Sequence, residues 1–503
     1  MRVLGDLTRL QARRRPDKPA LIFGDVSVTY RQFDRRANAL ANALIAAGIA
    51  AGDRVAILAE NSVEYAVATQ AVAKAGAILL PLNFRLAAAE LAYIVGNAEP
   101  ALIFTESGYA AILGEAMAQA GISCRVVMMD AGEAGFGDIA AGMPDGPPQR
   151  AVDPHSAAIM MYTSGTTGFP KGVLYAHTNY FTLFDGLMVE GDFGPGDVVH
   201  LALPLFHNAG LNGALNTTLY AGGTTVIHRG NFDAPVVLKQ IADHGVTVGL
   251  WVPTNLAILL DHPDFARHDV SSLRRIFYGG MAIRTDLRER AEAAFAADFY
   301  QVYGSTECGN ITVQGPQEHR DRPGVTGREF YNVEMRIVDD QGREVGPGEV
   351  GEVLLRAGDC GMMGYWRNEE ATGAAMRDGW IHSGDLARVG AGGFITVVDR
   401  KKDMIISGGE NVYPAEVEAV LHRHPSVAEA AVFGIPDAKY GETVCAAIVL
   451  RPGTAMSAAD VDAYCLENLA RYKRPRKVDF HDRLPRNVAG KVTKQVLRQP
   501  YWG

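Results

Sequence analysis

Stretches with helical spacing alternate with short apolar runs along the first half of this chain, and this alternation restricts the possible folds more than any other feature. The segments 30–47 and 62–75 predict helices, whereas 54–59 and 77–82 are apolar runs typical of buried strands. Further strand-like runs follow at 101–105 and 124–129, and the series resumes between residues 198 and 303. Strands that alternate with helices predict βαβ units, in which helices cover the faces of a sheet.

The pattern changes in the last third of the chain. Short strands separated by Gly and Asp are predicted at 334–339, 351–356 and 393–398, and they indicate a smaller β unit. Beyond residue 403, one predicted helix is opened by a proline at 414, and another has Ser and Asp at 457 and 460 in the spacing of a capping box. The expected fold class is α/β, with a large N-terminal domain of two βαβ-type subdomains plus a small β unit, followed by a small α+β C-terminal domain.

Length, charge and cysteine usage narrow the class of protein. The chain has 503 residues, which exceeds one ordinary core, so about two to four folding units are expected. Its net charge of −9 argues against nucleic acid as the partner. No segment approaches the ~20 apolar residues of a membrane helix, and the N-terminus lacks the apolar run of a signal peptide. The five cysteines are scattered and favour reduced thiols, so we predict a cytoplasmic protein with no membrane span.

The segment Tyr162–Gly172, YTSGTTGFPKG, is rich in Ser, Thr and Gly and contains one lysine. It is predicted to lie between a buried strand, 157–162, and a helix, 177–189. A glycine-rich turn in that position can surround phosphate oxygens with backbone N–H groups, hydroxyls and an ammonium group. A Walker loop requires Gly before the lysine and Ser or Thr after it, but here Pro170 precedes Lys171 and Gly172 follows it. The sequence therefore predicts a phosphate loop of another kind.

A second polar motif, Gln301–Glu307 or QVYGSTE, follows a predicted strand. Ligands gather at the ends of strands in open α/β sheets, and a carboxylate beside Thr306 suits a Mg²⁺ ion that also binds nucleotide phosphates. Five other motifs accompany these two: LPLFHNAG at 203–210, YGGM at 278–281, HSGDL at 382–386, DRKKDMIISGGENVYP at 399–414 and PRNVAGKVTK at 485–494.

In type, order and spacing these motifs resemble those of the adenylate-forming superfamily, which includes acyl-CoA synthetases, peptide-synthetase adenylation domains and luciferases. The resemblance covers essentially the whole chain and is closest to acyl-CoA synthetases, the fatty-acid and arylpropenoate ligases. It implies an N-terminal AMP-binding domain at 1–399, a hinge at 400–403 and a mobile C-terminal domain at 404–503 that turns about Lys402.

The resemblance also assigns residues to the nucleotide. Glu307 corresponds to the Mg²⁺-associated acid, Asp385 to the residue that binds the ribose hydroxyls, and Arg400 to a residue that fixes ribose and phosphate. Ser383 stands where the family usually has Thr, a departure that leaves Asp385 unaffected. The implied ATP- and AMP-binding residues are Thr163, Ser164, Gly165, Thr166, Thr167, Gly168, Lys171, Gly279, Gly280, Met281, Tyr303, Gly304, Thr306, Asp385 and Arg400.

Three residues are implied to be catalytic: Lys491, His207 and Glu307. In the family the lysine enters the active site during adenylation and bridges the carboxylate and the α-phosphate, where a cation offsets the repulsion of two anions. His207 lies in the family's aromatic-gate motif. The implied CoA-binding residues are Ser407, Gly408, Gly409 and Lys473, and the implied acyl-pocket residues are Phe184, Asn208, Trp251, Tyr278 and Asn310.

The predicted function is an ATP-dependent acyl-CoA ligase that uses ATP, Mg²⁺ and coenzyme A and forms an acyl-adenylate. The acid stays open between a medium- or long-chain fatty acid and an aryl acid such as a hydroxycinnamate, and the protein is expected to be a monomer or a homodimer. The alternatives are a stand-alone adenylation enzyme that loads a carrier protein, and a catalytically inactive nucleotide-binding protein.

Overall fold

The computed structural model describes residues 3–130, 136–163, 169–281, 283–358, 360–407, 410–486 and 492–502. The α-helices are α1 (Asp6–Arg14), α2 (Tyr30–Ala46), α3 (Val63–Lys74), α4 (Ala88–Ala98), α5 (Ala110–Ala120), α6 (Phe136–Ala140), α7 (His177–Glu190), α8 (Thr217–Ala221), α9 (Ala234–His244), α10 (Pro253–Leu260), α11 (Thr285–Ala294), α12 (Pro316–Asp321), α13 (Glu369–Ala375), α14 (Pro414–His422), α15 (Ala458–Asn468) and α16 (Lys494–Trp502). A π-helical segment spans Ala209–Asn216, and short 3₁₀ turns span Ser107–Tyr109, Phe265–Arg267 and Ala391–Gly393.

The strands are β1 (Pro19–Phe23), β2 (Val26–Thr29), β3 (Arg54–Leu58), β4 (Ile78–Pro81), β5 (Leu102–Thr105), β6 (Arg125–Met128), β7 (Ala157–Thr163), β8 (Lys171–Ala176), β9 (Val198–Leu201), β10 (Thr224–Ile227), β11 (Val248–Trp251), β12 (Arg275–Gly279), β13 (Asp298–Ser305), β14 (Gly309–Gln314), β15 (Arg328–Glu329), β16 (Met335–Val338), β17 (Val350–Arg356), β18 (Gly364–Tyr365), β19 (Met376–Arg377), β20 (Trp380–Val389), β21 (Ile395–Arg400), β22 (Ile405–Ser407), β23 (Glu410–Val412), β24 (Val427–Asp437), β25 (Gly441–Leu450) and β26 (Lys477–Phe480).

A nine-stranded sheet has the order β15-β14-β13-β12-β11-β9-β10-β1-β2. The strands from β13 to β1 in this order pair in parallel, and antiparallel strands flank them at both ends. Strands such as β10 and β11 are buried along their whole length, as expected for a parallel sheet covered by helices. The carboxyl ends of β9 to β13 therefore lie along one edge of this sheet.

A seven-stranded sheet has the order β18-β8-β7-β4-β3-β5-β6. Its strands β7, β4, β3, β5 and β6 are parallel, and β8 and β18 pair antiparallel at one side. The prediction that a helix directly follows the glycine-rich segment is wrong, because strand β8 lies between that segment and α7. Val173, Tyr175 and Ala176 of β8 are buried, and β8 pairs antiparallel with β7.

The remaining strands form two five-stranded sheets. One contains β16, β17, β19, β20 and β21 and confirms the predicted small β unit. The other has the order β23-β22-β25-β24 with β26 beside β25, and α14, α15 and α16 accompany it in the C-terminal part of the chain. Ser457 caps α15 and forms the predicted capping box with Asp460.

Contacts within the chain define two compact units. The first comprises residues 1–335 and 355–382, and the second comprises residues 336–354 and 383–503. The predicted domain boundary at residue 399 lies inside the second unit. Across the described ranges, no helix combines the length and the apolar character that crossing a membrane requires.

The start of α3 offers a test of local stability. Ser62 is buried and its hydroxyl accepts the N–H of Tyr65, as an N-cap residue does. We expect Ser62→Ala to lower the free energy of unfolding by about 1 kcal/mol, because it leaves that buried N–H without an acceptor. Urea denaturation measures the change. Ser62→Thr retains the hydroxyl and should stay near the parent value, so equal losses in both variants would contradict the capping role.

Candidate functional site

Most of the predicted site segments of the first unit lie at the carboxyl edge of the nine-stranded sheet. The LPLFHNAG segment follows β9, YGGM ends β12, and the turn with Thr306 and Glu307 follows β13. Gly280 has a φ of 77°, which an L-residue adopts with strain, and Met281 beside it is 45% exposed. Tyr303 and Thr306 are half-buried, so this edge combines exposed backbone with partly accessible polar groups.

The paired strands β8 and β18 meet this edge through two tyrosines. The ammonium group of Lys171, the first residue of β8, lies 5.1 Å from the ring centroid of Tyr365. The hydroxyl of Tyr365 donates to Oε1 of Glu307 at 3.3 Å, and the hydroxyl of Tyr175 donates to the carbonyl oxygen of Thr306 at 2.8 Å. Burial raises the pKa of Tyr365 well above its ordinary value, so its hydroxyl stays a neutral donor.

This arrangement brings together a lysine and a carboxylate that are 136 positions apart in the sequence. Thr163, the last residue of β7, is the register partner of Lys171, the first residue of β8, so the two residues lie side by side. Glu307 is half-buried and accepts a hydrogen bond at Oε1, which leaves lone pairs for a cation. In the described ranges no group of three or more His, Cys, Asp or Glu forms a metal site. A single carboxylate fits Mg²⁺ bound mainly by substrate phosphates.

Two glycines shape the turn that carries Glu307. A Cβ atom on Gly304 would collide with the carbonyl oxygen of Gly309 across the hairpin of β13 and β14. Gly309 has a φ of 70°, and a Cβ atom there would meet the carbonyl oxygen of Cys360 at 2.6 Å. Asn310, predicted in the acyl pocket, is half-buried, and its carbonyl oxygen accepts the thiol of Cys360 at 3.6 Å.

His207 is exposed at the end of an aromatic cluster. Its ring lies 4.4 Å from that of Phe206, whose other neighbour, Phe84, packs edge-on at 5.2 Å. The backbone around it is tight, because a Cβ atom on Gly210 would collide with the carbonyl oxygen of Pro204. The environment of this histidine is therefore an accessible surface with apolar neighbours and not the interior of a core.

The predicted acyl-pocket residues differ in their exposure. Phe184, Trp251 and Tyr278 are each at most 2% exposed. The indole N–H of Trp251 donates to Nδ1 of His200, and burial lowers the pKa of that histidine to about 4, which keeps it neutral. Tyr278 donates to Gln301 at 3.0 Å. The polar atoms of these two aromatic residues are thus occupied inside the core.

Asn208 has a different setting. It is half-buried next to His207, and its Oδ1 accepts the side-chain amide of Asn212 at 2.9 Å. Asn216 donates in turn to Asn212, and Gln70 donates to Asn216. The three asparagines form a ladder of amides along the π-helical segment, and Asn208 is its end nearest the exposed histidine.

In the second unit, Asp385 and Arg400 are register partners in β20 and β21. The guanidinium Nε of Arg400 lies 3.2 Å from Oδ1 of Asp385, which is 5% exposed, whereas Arg400 is largely accessible. Lys401, next to the predicted hinge residue Lys402, binds Glu352 at 3.2 Å. Cross-strand pairing therefore holds the two predicted ribose-binding residues together.

The predicted CoA-binding residues of the second unit are partly engaged. Ser407 is buried in β22. The ammonium group of Lys473 lies 2.6 and 2.7 Å from the two carboxylate oxygens of Glu416, and Arg474 pairs with Asp462. An anionic ligand at Lys473 has to compete with this internal carboxylate. Several predicted residues lie outside the described part of the chain: Ser164, Gly165, Thr166, Thr167, Gly168, Gly408, Gly409 and Lys491.

Tyr365 and Tyr175 are absent from the sequence predictions although both touch the predicted site. Tyr365 lies in a two-residue strand, 58 positions from Glu307, and nothing in the local pattern indicates its partner. Tyr175 lies in β8, the strand that the sequence reasoning missed. Recognition of the apolar run 173–176 as a strand would have placed it beside the predicted site.

Comparisons with known proteins agree with this geometry. The sequence model of the AMP-binding enzyme family matches residues 8–366, and that of the AMP-binding enzyme C-terminal domain matches residues 416–491. The chain belongs to the AMP-binding enzyme family, and the resemblance inferred from the motifs is confirmed.

Several relatives span its full length. A fatty acid–[acyl-carrier-protein] ligase, ScoC, from Streptomyces coeruleorubidus is 37% identical over 100% of this chain and 97% of that protein. A feruloyl-CoA synthase from an Amycolatopsis species is 37% identical over 99% of each chain. The crystal structure of ATP-bound MatB from Rhodopseudomonas palustris is 34% identical, with a TM-score of 0.89 over 98% of this chain and 99% of that chain.

The close approach at Gly210 predicts that alanine destabilises the protein more at this position than at the neighbouring Gly213. In Gly210→Ala the methyl group meets backbone oxygen atoms that cannot move aside, so we expect the free energy of unfolding to fall by about 1–3 kcal/mol. In Gly213→Ala the nearest atom is the terminal methyl of Leu250 at 3.3 Å, which can shift. Urea denaturation should therefore separate the variants, and equal stability would contradict the tight packing of this segment.

Proposed function

We propose that this protein is an ATP-dependent, AMP-forming acid–CoA ligase. The observation that carries the proposal is the meeting of Lys171, Tyr365 and Glu307 at the start of β8, in a chain of the AMP-binding enzyme family. A cation and a carboxylate in that position suit a nucleoside triphosphate with its Mg²⁺ ion. One similar protein is named as a fatty acid–[acyl-carrier-protein] ligase and another as a feruloyl-CoA synthase.

In the first half-reaction a carboxylate oxygen of the acid attacks the α-phosphorus of ATP, and pyrophosphate leaves. The loop 163–171 holds the β- and γ-phosphates, and Asp385 with Arg400 orients the ribose. Lys491 reaches the reacting oxygens and offsets the repulsion between carboxylate and phosphate. Bound at Glu307, Mg²⁺ would neutralise phosphate charge. The product is an acyl-adenylate, a mixed anhydride that acylates readily.

In the second half-reaction the thiol sulfur of CoA, after loss of its proton, attacks the acyl carbon and AMP leaves with the bonding electron pair. We propose a C-terminal domain, residues 404–503, that turns about a hinge at 400–403 and withdraws Lys491. The turn presents the segment 407–409 to the pantetheine arm. Such a turn lets one site serve two reactions whose reactants need the same space.

The cysteines of the chain bear on its compartment. All five cysteines are thiols, which favours a reducing compartment, and we propose the cytoplasm. The proposed partners are the acid, ATP and CoA, and the assembly is a monomer or a homodimer.

The acid is proposed as either a fatty acid or an aryl acid. Both classes occur among the names of similar proteins, since one acts on a fatty acid and the other on ferulate. The fatty-acid relative is named for transfer to an acyl carrier protein, so a carrier thiol is the second candidate acceptor. The chemistry up to the adenylate is the same for both acceptors.

Pyrophosphate release with ATP and Mg²⁺ tests the proposal directly. We would supply short to long fatty acids, benzoates and hydroxycinnamates, each with CoA, with an acyl carrier protein and with neither thiol. A ligase should turn over one class of acid in the presence of CoA, because the thiol removes the adenylate. Turnover with the acyl carrier protein but not with CoA would identify the carrier as the acceptor. Nucleotide binding without pyrophosphate release for any acid would refute the proposed reaction.

The role of Lys491 can be separated by half-reaction. We expect Lys491→Ala to reduce adenylation at least about 100-fold while thioester formation from supplied acyl-adenylate stays within a few-fold, because the charge acts on the phosphate step. Rapid-quench assays of each half-reaction measure this. Lys439→Ala removes another lysine of the same unit and should leave both steps unchanged. An equal loss in both half-reactions of folded Lys491→Ala would refute the assignment.

A further inference from the structure

A buried side-chain amide binds the chain just before His207. Asn61 follows β3 and is 6% exposed. Its Nδ2 donates to the carbonyl oxygens of Leu203 and His228, both at 3.1 Å, and its Oδ1 accepts the backbone N–H of Leu205 at 2.9 Å. One side chain therefore makes three hydrogen bonds to the backbone of two other segments.

The partners determine the orientation of this amide without ambiguity. A backbone N–H can only donate and a carbonyl oxygen can only accept, so exchanging the nitrogen and oxygen of Asn61 would break all three bonds. Both protons of Nδ2 are used. Since the atoms are buried, loss of the amide leaves two carbonyls and one N–H without partners, which makes the side chain hard to replace.

The three segments join the two sheets of the first unit. Asn61 lies at the carboxyl end of β3 in the seven-stranded sheet, whereas Leu203 and His228 follow β9 and β10 in the nine-stranded sheet. Glu60 reinforces the junction, because its Oε2 lies 2.9 Å from Nε of Arg229. The dipeptide 60–61 thus fixes the dipeptide 228–229 and the turn at 203–205 at the edge where ligands bind in α/β sheets.

The fixed turn determines where His207 lies. The residues on both sides of Pro204 are bonded to Asn61, and the N–H of His207 donates to the carbonyl oxygen of Pro204 at 3.1 Å. The same oxygen is closely approached by Gly210. The backbone of the exposed histidine is therefore held from one side by a chain of contacts that begins at Asn61.

We propose that Asn61 is a positioning residue of the active site: it fixes the segment Leu203–Gly210 and thereby the place of the acid's carboxylate beside Phe206 and His207. It does not touch the reactants and acts through the backbone of this segment. The part that concerns the carboxylate rests on the proposed ligase function, whereas the fixing of the segment does not.

Two variants and one matched control test the proposal. Asn61→Leu removes the amide at similar volume. Asn61→Ser leaves a small polar group that cannot reach both carbonyls, and it serves as the second variant if Asn61→Leu fails to fold. Asn38→Leu is the control: Asn38 is 2% exposed in the same unit, and its amide donates to the carbonyl oxygen of Asp145 at 2.9 Å. It removes a comparably buried amide whose hydrogen bonds go to Asp34 and Asp145, outside the segment 203–210.

Hydrogen exchange followed by mass spectrometry reports on the segment without any substrate. We expect the peptide covering 203–210 to exchange at least tenfold faster in both Asn61 variants and at the parent rate in Asn38→Leu, because the N–H of Leu205 loses its acceptor. Unchanged exchange in the Asn61 variants, or equal acceleration in the control, would overturn the positioning role.

Kinetics then test the consequence for the substrate. For the acid identified in the panel, we expect the KM to rise about tenfold or more in Asn61→Ser, while the KM for ATP stays within about twofold, since small displacements of a positioning segment have large effects. An equal rise in both constants would overturn the link to the carboxylate. If the parent protein activates no acid, the proposed function fails, and the exchange experiment alone decides whether Asn61 fixes the segment.

Discussion

An ion pair with a buried carboxylate, between the carboxyl ends of parallel strands in the two large sheets, is the constraint on which the first unit depends. Glu106, at the end of β5, is 4% exposed, and it accepts two hydrogen bonds of 3.0 and 2.9 Å from Arg229, which follows β10. A carboxylate buried this deeply is costly without its partner. Burial, and then the bond donated to Glu60, raise the pKa of Tyr109 to about 12, so a neutral hydroxyl completes the junction.

The same edge explains why a polyanionic nucleotide is compatible with an acidic surface. Glu60, Glu106 and Glu307 all follow strands of these two sheets, and an uncompensated set of carboxylates would repel phosphates. Arg229 binds the first two acids, so the charge of Glu307 is the one available to a metal ion. Lys171 lies over the ring of Tyr365 whereas Glu307 accepts from its hydroxyl, so the two charges meet different parts of one tyrosine and can contact different parts of a bound nucleotide.

The local sequence pattern was sufficient to predict those helices and strands whose buried residues recur at regular spacing. The helix 30–47 and the strands 54–59 and 77–82 are confirmed within two residues at each end, because apolar spacing and capping residues agree there. The strand β20 was missed because polar residues such as Asp385 interrupt its pattern, and its pairing with β21 decides its conformation. The contact between Glu307 and Tyr365 could not be predicted from the local sequence either, because it depends on the pairing of β18 with β8.

Strand alternation decides which of the predicted acyl-pocket residues share a face of the nine-stranded sheet. Trp251 and Tyr278 are register partners, so their side chains share one face of the sheet and pack in a core with Leu256 and Ala291 of α10 and α11. The residues one position earlier face the opposite side, and Leu250 accordingly approaches Gly213 of the π-helical segment. That segment follows His207 and Asn208 directly. The face that bears Leu250 and its register partner Phe277 is therefore adjacent to the segment that follows the exposed histidine, and we expect selectivity for the acid to depend on the side chains of that face.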